Sequence, residues 1–242
     1  MAALVAVAVA ASWAGGLSVG RDVVWAAARA IVQLSAVSLI LVAALTTTLY
    51  ALIFVTVMFA IGVYTTATRT GVLASRAWPW TAVAMAMGTL PVLLIIYGLG
   101  VAPFNGPGIV PIVSIMVGNM MTAHTLAARR AFADLRSGIP TYEAALSIGL
   151  PRSEAIAEVT SPALREAMVP ALDQTRTVGL VTLPGAFIGV LMGGGSPLQA
   201  GAAQVLVLVG VLAGQATTVT LAHLFMQRAL LLPPDLMARL RP

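Results

Sequence analysis

Long apolar runs, separated by short polar or turn-forming segments, make up most of this 242-residue sequence. A helix that crosses a bilayer needs about 20 mainly apolar residues, and seven runs reach that length. The pattern therefore predicts an all-α, polytopic membrane protein with about seven transmembrane helices in one domain, 1–242. The predicted spans are approximately 2–20, 23–45, 49–68, 80–99, 109–128, 172–192 and 198–225.

Composition supports this interpretation. With 60% apolar and 9% charged residues, the chain has too little polar surface for a water-soluble domain. It contains no cysteine, which excludes disulfides and thiolate metal sites. The net charge of +5 is scattered rather than clustered, so we expect no nucleic-acid partner. The first run could be a signal peptide, but no basic residue precedes it, and a retained helix is expected.

The charges fall on one side of the seven-span arrangement. Every arginine and every acidic residue lies in, or within about two turns of, the segments 21–22, 69–79 and 129–171 and the tail after residue 225. By the positive-inside rule that side is the cytoplasm. We therefore expect a multi-pass protein of the inner (cytoplasmic) membrane, with its N-terminus outside and its C-terminus in the cytoplasm.

The long cytoplasmic connection predicts two short helices around a glycine corner. Thr141 is a candidate N-cap, and Gly149 is expected to end the first helix. Pro151 suits the first turn of a second helix over 153–159, and Pro162 is expected to interrupt it. Connections of about 40 residues in compact proteins are usually functional.

This connection resembles the EAA loop through which permeases of ABC transporters dock into a groove on their ATPase. The resemblance implies a cytoplasmic coupling helix between the fifth and sixth spans. One departure is Ser161-Pro162, where the family pattern has Leu-Pro. The ATPase-docking residues that it implies are Glu143, Ala144, Ala145, Gly149, Arg152, Ile156 and Pro162.

An amphipathic helix lying on lipid headgroups is the alternative for this segment. Such helices favour a basic polar face with large apolar anchors. Four glutamates against two arginines favour docking instead, and a stiff element suits the transmission of force.

A longer resemblance, from about residue 21 to the end of the seventh span, is to the FetB-type permease family. It is carried by RAIVQL from Arg29, VGNM from Val117 and, most distinctively, TVGLVTLPGA from Thr177. These permeases are bacterial iron exporters that work with a FetA-type ATPase, and plant aluminium-tolerance half-transporters are similar to them. The resemblance implies a homodimeric half-transporter that exports a metal ion or small solute, with ATP and Mg²⁺ bound by the partner subunit.

A stripe of small residues follows Pro184 in the predicted sixth span. Gly185, Gly189 and Gly193 recur every fourth residue, which lets another helix approach closely. Pro184 removes a backbone hydrogen bond and is expected to kink the helix, as a hinge or for packing alone. Gly210 and Gly214 form a shorter stripe in the seventh span. We expect both stripes to lie within the bundle or at a dimer interface.

Polar side chains inside spans are the candidates for a translocation path. Met116, Met120 and His124 share one helix face and offer soft ligands, although methionine at this spacing also fills cores. Arg29 could equally anchor at headgroups. No cluster with fixed metal-ligand spacing occurs, so no fixed metal site is expected. The complete candidate set is Arg29, Gln33, Met116, Asn119, Met120 and His124.

Other polar residues are expected to join helices. Gln204 and Gln215 lie on nearly one face of the seventh span and are predicted to hydrogen-bond neighbouring helices. Asp173 and Arg176 are predicted to pair at i, i+3.

Three functions remain open at this point. The chain contains no lysine and no P-loop, so it is not expected to be an enzyme, and energy must come from another chain. An ABC exporter permease of the FetB type is the first hypothesis. The alternatives are an ABC importer permease fed by a binding protein and an ATP-independent channel or carrier. A carrier would predict coupling carboxylates in the spans or an inverted repeat, and neither is evident in the sequence.

Overall fold

The computed structural model describes residues 1–240, and these form ten helices and no strand beyond an isolated bridge between Val178 and Thr182. The predicted all-α class is confirmed for this part of the chain. The helices are α1 (Ala2–Ala14), α2 (Gly20–Ala44), α3 (Thr48–Thr70), α4 (Trp78–Gly98), α5 (Gly106–Ser137), α6 (Ile139–Ser147), α7 (Arg152–Thr177), α8 (Gly185–Met192), α9 (Pro197–Gln227) and α10 (Pro234–Arg239).

Five helices in the described residues, α2, α3, α4, α5 and α9, are long and apolar enough to cross a membrane. They confirm five of the predicted spans. Several begin at side-chain caps: Thr47, Asn105 and Ser196 each accept the backbone N–H three residues later, at 3.0 to 3.3 Å. Caps at these points explain why α3, α5 and α9 start directly after short uncharged turns.

The first predicted span is shorter than expected. Helix α1 has 13 residues, or about 20 Å at about 1.5 Å per residue, against a hydrocarbon core of about 30 Å. It ends at Ala14, and the turn that follows contains Gly16 at φ +64° and Ser18 at φ +54°. Ser12 Oγ then accepts the Val19 N–H at 3.1 Å, so α1 folds back beside α2 instead of continuing into it.

The sixth predicted span, 172–192, is not one helix. Helix α7 ends at Thr177, the chain turns at Gly179 with φ +80°, and α8 begins after Pro184 with only eight residues. Proline lacks the donor that would continue a helix, and it disfavours the α conformation in the residue before it. The kink expected at Pro184 is therefore a complete break in the helix.

Pro162 does not interrupt the second helix of the connection, contrary to expectation. Helix α7 runs for 26 residues through Pro162 and Pro170. Both prolines are exposed, so carbonyl groups that lose an N–H partner remain accessible to other donors. Thr141 is not an N-cap either, because α6 already begins at Ile139 with Gly138 before it.

Helices α5 and α9 run parallel, since contacts between them advance along both in the same direction. The successive contacts are Gln215 to Asn119, Thr218 to Met120 and Arg136 to Asp235, the last joining the end of α5 to α10. Arg136 Nε donates to Asp235 Oδ2 at 2.7 Å, and this hydrogen bond holds the pKa of the Asp235 carboxyl below its ordinary value. The chain must therefore return along the bundle between α5 and α9.

Helix α7 makes that return. Beside α5, Val159 lies against Gly138, Glu166 pairs with Arg130, and Gln174 shares a pocket with Asn119. Beside α9, Thr160 meets His223, and Gln174 lies near Gln204. These contacts move towards the start of α5 and α9 as α7 advances, so α7 is antiparallel to both. A segment expected to form short helices on the cytoplasmic surface thus packs along the bundle.

The tightest helix crossing joins α4 to α9. A Cβ atom built on Gly88 would lie 2.5 Å from the Gly214 carbonyl oxygen, and one built on Gly214 would lie 2.5 Å from the Gly88 oxygen. Only glycine lets two backbones approach so closely. The expectation for the Gly210 and Gly214 stripe is confirmed, because Gly210 also faces α4 through Val92.

Candidate functional site

Helices α6 and α7 meet at a sharp corner, and we call residues 139–159 the elbow. Gly149 has φ +91° at the corner. Its N–H donates to the Leu146 carbonyl at 3.0 Å, and the Leu150 N–H donates to the Ala145 carbonyl at 3.1 Å. This pair of bonds is the Schellman ending that favours glycine. The predicted order of helix, glycine corner and helix is therefore present.

The residues singled out for docking divide between two environments. Glu143, Ala144 and Gly149 are exposed, and so is Pro162 further along α7. Ala145 and Ile156 are buried in the chain itself, so they pack the elbow against the bundle. Arg152 is half-buried. The exposed part of the set thus lies on the outer side of α6, at the corner and, for Pro162, further along α7.

The elbow also carries an exposed apolar side chain that the sequence interpretation did not single out. Ile148, directly before Gly149, is 78% exposed. It lies at the end of α6, where the chain leaves the helix. A large aliphatic side chain held out by a rigid turn is suited to entering an apolar groove. Its position beside the helix-ending glycine is the signal that could have identified it.

The elbow is connected to the bundle by polar contacts along α7. The Thr160 hydroxyl donates to the Ile156 carbonyl at 2.8 Å, so it accepts from His223 Nε2 on α9, also at 2.8 Å. Arg130 of α5 pairs with Glu166. The predicted pair of Arg176 and Asp173 is confirmed at 3.5 Å.

The methionine and histidine stripe of α5 lies in the interior. Met116, Met120 and His124 are all at most 2% exposed. Met120 Sδ accepts from the Thr218 hydroxyl at 3.1 Å and packs beside the crossing of α4 and α9. Both ring nitrogens of His124 lack a hydrogen-bond partner among the described residues. Within those residues no group of three or more histidine or acidic side chains is placed to hold a metal.

Arg29 and Gln33 are not brought together with this stripe. Both are exposed on α2, a helix whose main contacts are with α1 and α3 and which buries almost none of its side chains. The two polar side chains therefore face away from the bundle. The structure joins four of the path candidates on α5 and leaves these two apart.

The glycine stripe after Pro184 is also unpacked. Cβ atoms built on Gly185 and Gly189 would meet nothing within 4 Å, and one on Gly193 would meet only the oxygens of its own helix. The glycine face of α8 is therefore open, although α8 itself packs on α9. Of the two expected locations for it, the dimer interface remains a prediction.

A cavity of about 470 Å³ lies between α5, α9, the end of α7 and the start of α8. Three carboxamide side chains line it, those of Asn119, Gln174 and Gln204, beside Pro184 and other apolar residues. No charged side chain is among the lining residues that the structure describes. Gln174 was not singled out from the sequence, because its place beside Asn119 depends on the return path of α7.

Residues 1–231 match a family described as "Uncharacterised protein family (UPF0014)". The chain belongs to the UPF0014 family. The resemblance to FetB-type permeases is confirmed, because the relatives of this UPF0014 chain include such a protein. No solved structure matches the chain.

Three relatives illustrate the range of UPF0014 proteins. The UPF0014 membrane protein STAR2 of Oryza sativa subsp. japonica is 34% identical over 208 residues, covering 85% of this chain and 73% of the relative. Protein ALUMINUM SENSITIVE 3 of Arabidopsis thaliana is 29% identical over 93% of this chain and 83% of its own. The Probable iron export permease protein FetB of Escherichia coli K12 is 27% identical, over 84% and 79%.

These matches and the five long apolar helices agree on a multi-pass membrane protein of the UPF0014 family. The elbow, the return helix α7 and the amide-lined cavity all lie within the matched residues 1–231.

Proposed function

We propose that this chain is the membrane-spanning permease subunit of an ABC transporter, that a separate FetA-type ATPase docks on the elbow, and that the complex exports iron or a related metal. The observation that carries the proposal is the elbow itself: an exposed apolar tip at Ile148, beside exposed Glu143 and Ala144, on a rigid glycine corner. The name of the relative FetB supports a permease and an iron cargo.

A continuous helix gives the elbow a mechanical connection to the bundle. Arg152 and Gln174 are 22 positions apart on α7, or about 33 Å at about 1.5 Å per residue. The elbow moves as nucleotide closes the ATPase, and α7 moves with it as a lever. Thr160 transmits that movement to α9 through His223, and Glu166 transmits it to α5 through Arg130. Rigid elements of this kind couple distant sites by small rotations.

A second copy of the chain completes the permease in this proposal. Arg29 and Gln33 on α2 are exposed, and polar groups that face lipid are costly unless they meet protein or water. Gly185 and Gly189 on α8 likewise present open surface that another helix could approach closely. Both features support a homodimer, with the elbows and the C-terminus on the cytoplasmic side of the inner membrane.

Replacing Ile148 with Asp is expected to prevent docking. A carboxylate at the tip would have to be desolvated in an apolar groove, and losing a central apolar contact commonly costs about 2 kcal/mol or more, roughly thirtyfold in affinity. The measurement is recovery of a co-expressed FetA-type ATPase with affinity-tagged permease in detergent. The matched control Ile148→Leu keeps the apolar tip and should recover the ATPase normally. Equal recovery with Asp and Leu would show that the tip does not bind the ATPase.

Cargo is tested in cells. Deleting the gene should raise cellular iron after an iron load, because export is lost. The wild-type chain and Ile148→Leu should restore the iron content, whereas Ile148→Asp should not. Metal content is measured by mass spectrometry of washed cells. If iron and related metals are unchanged by the deletion, the metal cargo is wrong even if the ATPase docks.

A further inference from the structure

The amide-lined cavity lies at the middle of the apolar part of α5. Asn119 is the eleventh of the 20 residues in the apolar run 109–128, so it is about half-way across. Gln174 and Gln204 reach the same cavity from α7 and α9. Polar groups at this depth are costly in hydrocarbon and normally face protein, water or cargo. A cavity of about 470 Å³ is within the size range of small-molecule sites.

Of the three carboxamides in the cavity, one is fixed by hydrogen bonds and another has an acceptor without a partner. Asn119 Nδ2 donates to the Ile115 carbonyl at 2.8 Å, and its Oδ1 accepts from Gln215 Nε2 at 3.3 Å, which fixes its orientation. Gln204 is only 5% exposed, and its Oε1 has no hydrogen-bond partner among the described residues. A buried acceptor without a partner is destabilising, so a donor group entering the cavity would relieve that cost.

The chemistry of the lining restricts what it can hold. Three neutral amides offer carbonyl acceptors and N–H donors but no charge. No carboxylate or imidazole is among the described lining residues, and Asp173, which neighbours Gln174, is paired with Arg176 at 3.5 Å. A bare divalent ion would therefore be desolvated in the cavity without a free negative charge to balance it, which is strongly unfavourable. An uncharged solute with hydroxyl or amide donors meets the free acceptor of Gln204 at no such cost.

The end of α7 explains how this cavity is reached and altered. Asp173 and Arg176 flank Gln174 and are exposed in the single chain, so charged groups lie beside the cavity at membrane depth. Such charges require water or a partner surface. The helix breaks directly after them, at 178–184, and Pro184 lines the cavity. Movement of α7 would therefore carry Gln174 relative to Asn119 and Gln204.

We propose that the cavity formed by Asn119, Gln174 and Gln204 is the cargo-binding site, and that it takes an uncharged, hydrogen-bond-donating solute rather than a free metal cation. A metal enters it only as a complex whose charge its own ligands have neutralised. This inference rests on the proposed transport function, but it concerns the form of the cargo and not the ATPase.

The natural absence of cysteine allows a direct test. Ala186 lines the cavity without contributing a polar group, so Ala186→Cys places one reactive thiol in it. The full-length protein in nanodiscs is labelled with N-ethylmaleimide, and the rate is measured with sorbitol, with neutral ferric tris(acetohydroxamate), and with Fe²⁺ under ascorbate. A separate Leu198→Cys protein, exposed at the start of α9, corrects for general effects on the reagent.

Sorbitol or the ferric complex should slow labelling of Ala186→Cys at least threefold, and Fe²⁺ should not. Protection by sorbitol would identify an organic cargo, and protection by the ferric complex would identify a metal-complex cargo. Adding Gln204→Leu should abolish protection, whereas adding Val205→Leu, at an exposed neighbouring position, should preserve it. Protection by Fe²⁺ alone would overturn the neutral-cargo inference. Protection by none of the three, or protection that survives Gln204→Leu, would overturn the site. Size-exclusion profiles confirm that each variant is folded, and ATPase recovery through Ile148 tests docking independently.

Discussion

Replacing Gly88 with Val should strongly lower the free energy of unfolding of this protein. A Cβ at Gly88 would lie 2.5 Å from the Gly214 carbonyl oxygen and 3.0 Å from Met120 Sδ, and still closer to the Thr218 hydroxyl. The methionine and threonine side chains can rotate away, but the carbonyl belongs to the backbone of α9. The two helices must therefore separate. Overpacking that displaces backbone costs about 3 kcal/mol or more.

The loss of stability should extend beyond α4 and α9, because α5 packs against the same crossing. Met116 and Met120 of α5 pack against Gly214, so separating α4 from α9 also opens their contact with α5. The measurement is the thermal unfolding midpoint of purified protein in detergent, together with the amount of folded protein in the membrane. Both should fall clearly for Gly88→Val.

Gly118→Val is the matched control. Gly118 lies within α5, yet a Cβ there would meet nothing within 4 Å. The same substitution should change stability by less than about 1 kcal/mol, since the difference in helix propensity is small. Gly88→Ala should also lower stability, and adding Thr218→Ala should restore little of the lost stability, because the contact with the Gly214 carbonyl oxygen remains. If Gly88→Val and Gly118→Val unfolded at the same temperature, the close crossing would be wrong.

The long apolar helices could be predicted because lipid imposes a length. Runs of about 20 apolar residues between capping residues predicted α2, α3, α4, α5 and α9. The same rule overestimated α1, because the run 2–20 contains Gly16 and Ser18 in left-handed conformations that end the helix. Apolar composition shows what lipid tolerates, but the backbone conformation decides where a helix stops.

Helix α7 could not be predicted in the same way. Half of its 26 residues are polar, so the sequence pattern predicts a short helix over 153–159, an interruption at Pro162 and a separate span from residue 172. Partners far along the chain hold it in place, such as His223 for Thr160 and Arg130 for Glu166. Proline is a local signal for interruption, yet Pro162 is accommodated on the exposed side. Tertiary packing outweighs local propensity in this helix.

Only part of the candidate site could be predicted from the sequence, because packing between helices decides the rest. Local backbone chemistry identified the corner at Gly149, because a glycine after a short helix signals a left-handed ending. Which residues of the pattern face outwards depends on the bundle behind them, and Ile156 proved to be buried while Ile148 is exposed. The cavity joins Asn119, Gln174 and Gln204, which come from three helices, so no local pattern reveals it.

On the proposed function, Gly149→Val should uncouple the permease from its ATPase while leaving the permease in the membrane. Gly149 has φ +91°, a conformation that a β-branched residue adopts only with strain of about 1–3 kcal/mol. Open space surrounds the position, so the variant does not clash with the bundle. The strain is relieved by changing φ, which breaks the bonds from Gly149 N–H to Leu146 and from Leu150 N–H to Ala145. The direction of α6 relative to α7 then changes.

A redirected α6 presents Ile148 and Glu143 at the wrong angle to the ATPase, so their contacts cannot form together. We expect recovery of the ATPase to fall at least about tenfold, which corresponds to a loss of about 1.4 kcal/mol in binding. Nucleotide hydrolysis stimulated by the permease should fall with it. The amount of permease in the membrane should remain close to that of the wild type, because the strain lies outside the bundle.

Gly100→Val provides the control for strain alone. Gly100 also has a positive φ, +66°, with open space around its Cβ position, but it lies in the uncharged turn between α4 and α5, at the opposite end of these helices from the elbow. It should carry a similar strain and leave ATPase recovery unchanged. Normal coupling in Gly149→Val would mean that the corner is not the docking element. Equal loss in both variants would mean that general destabilisation, rather than the geometry of the elbow, controls coupling.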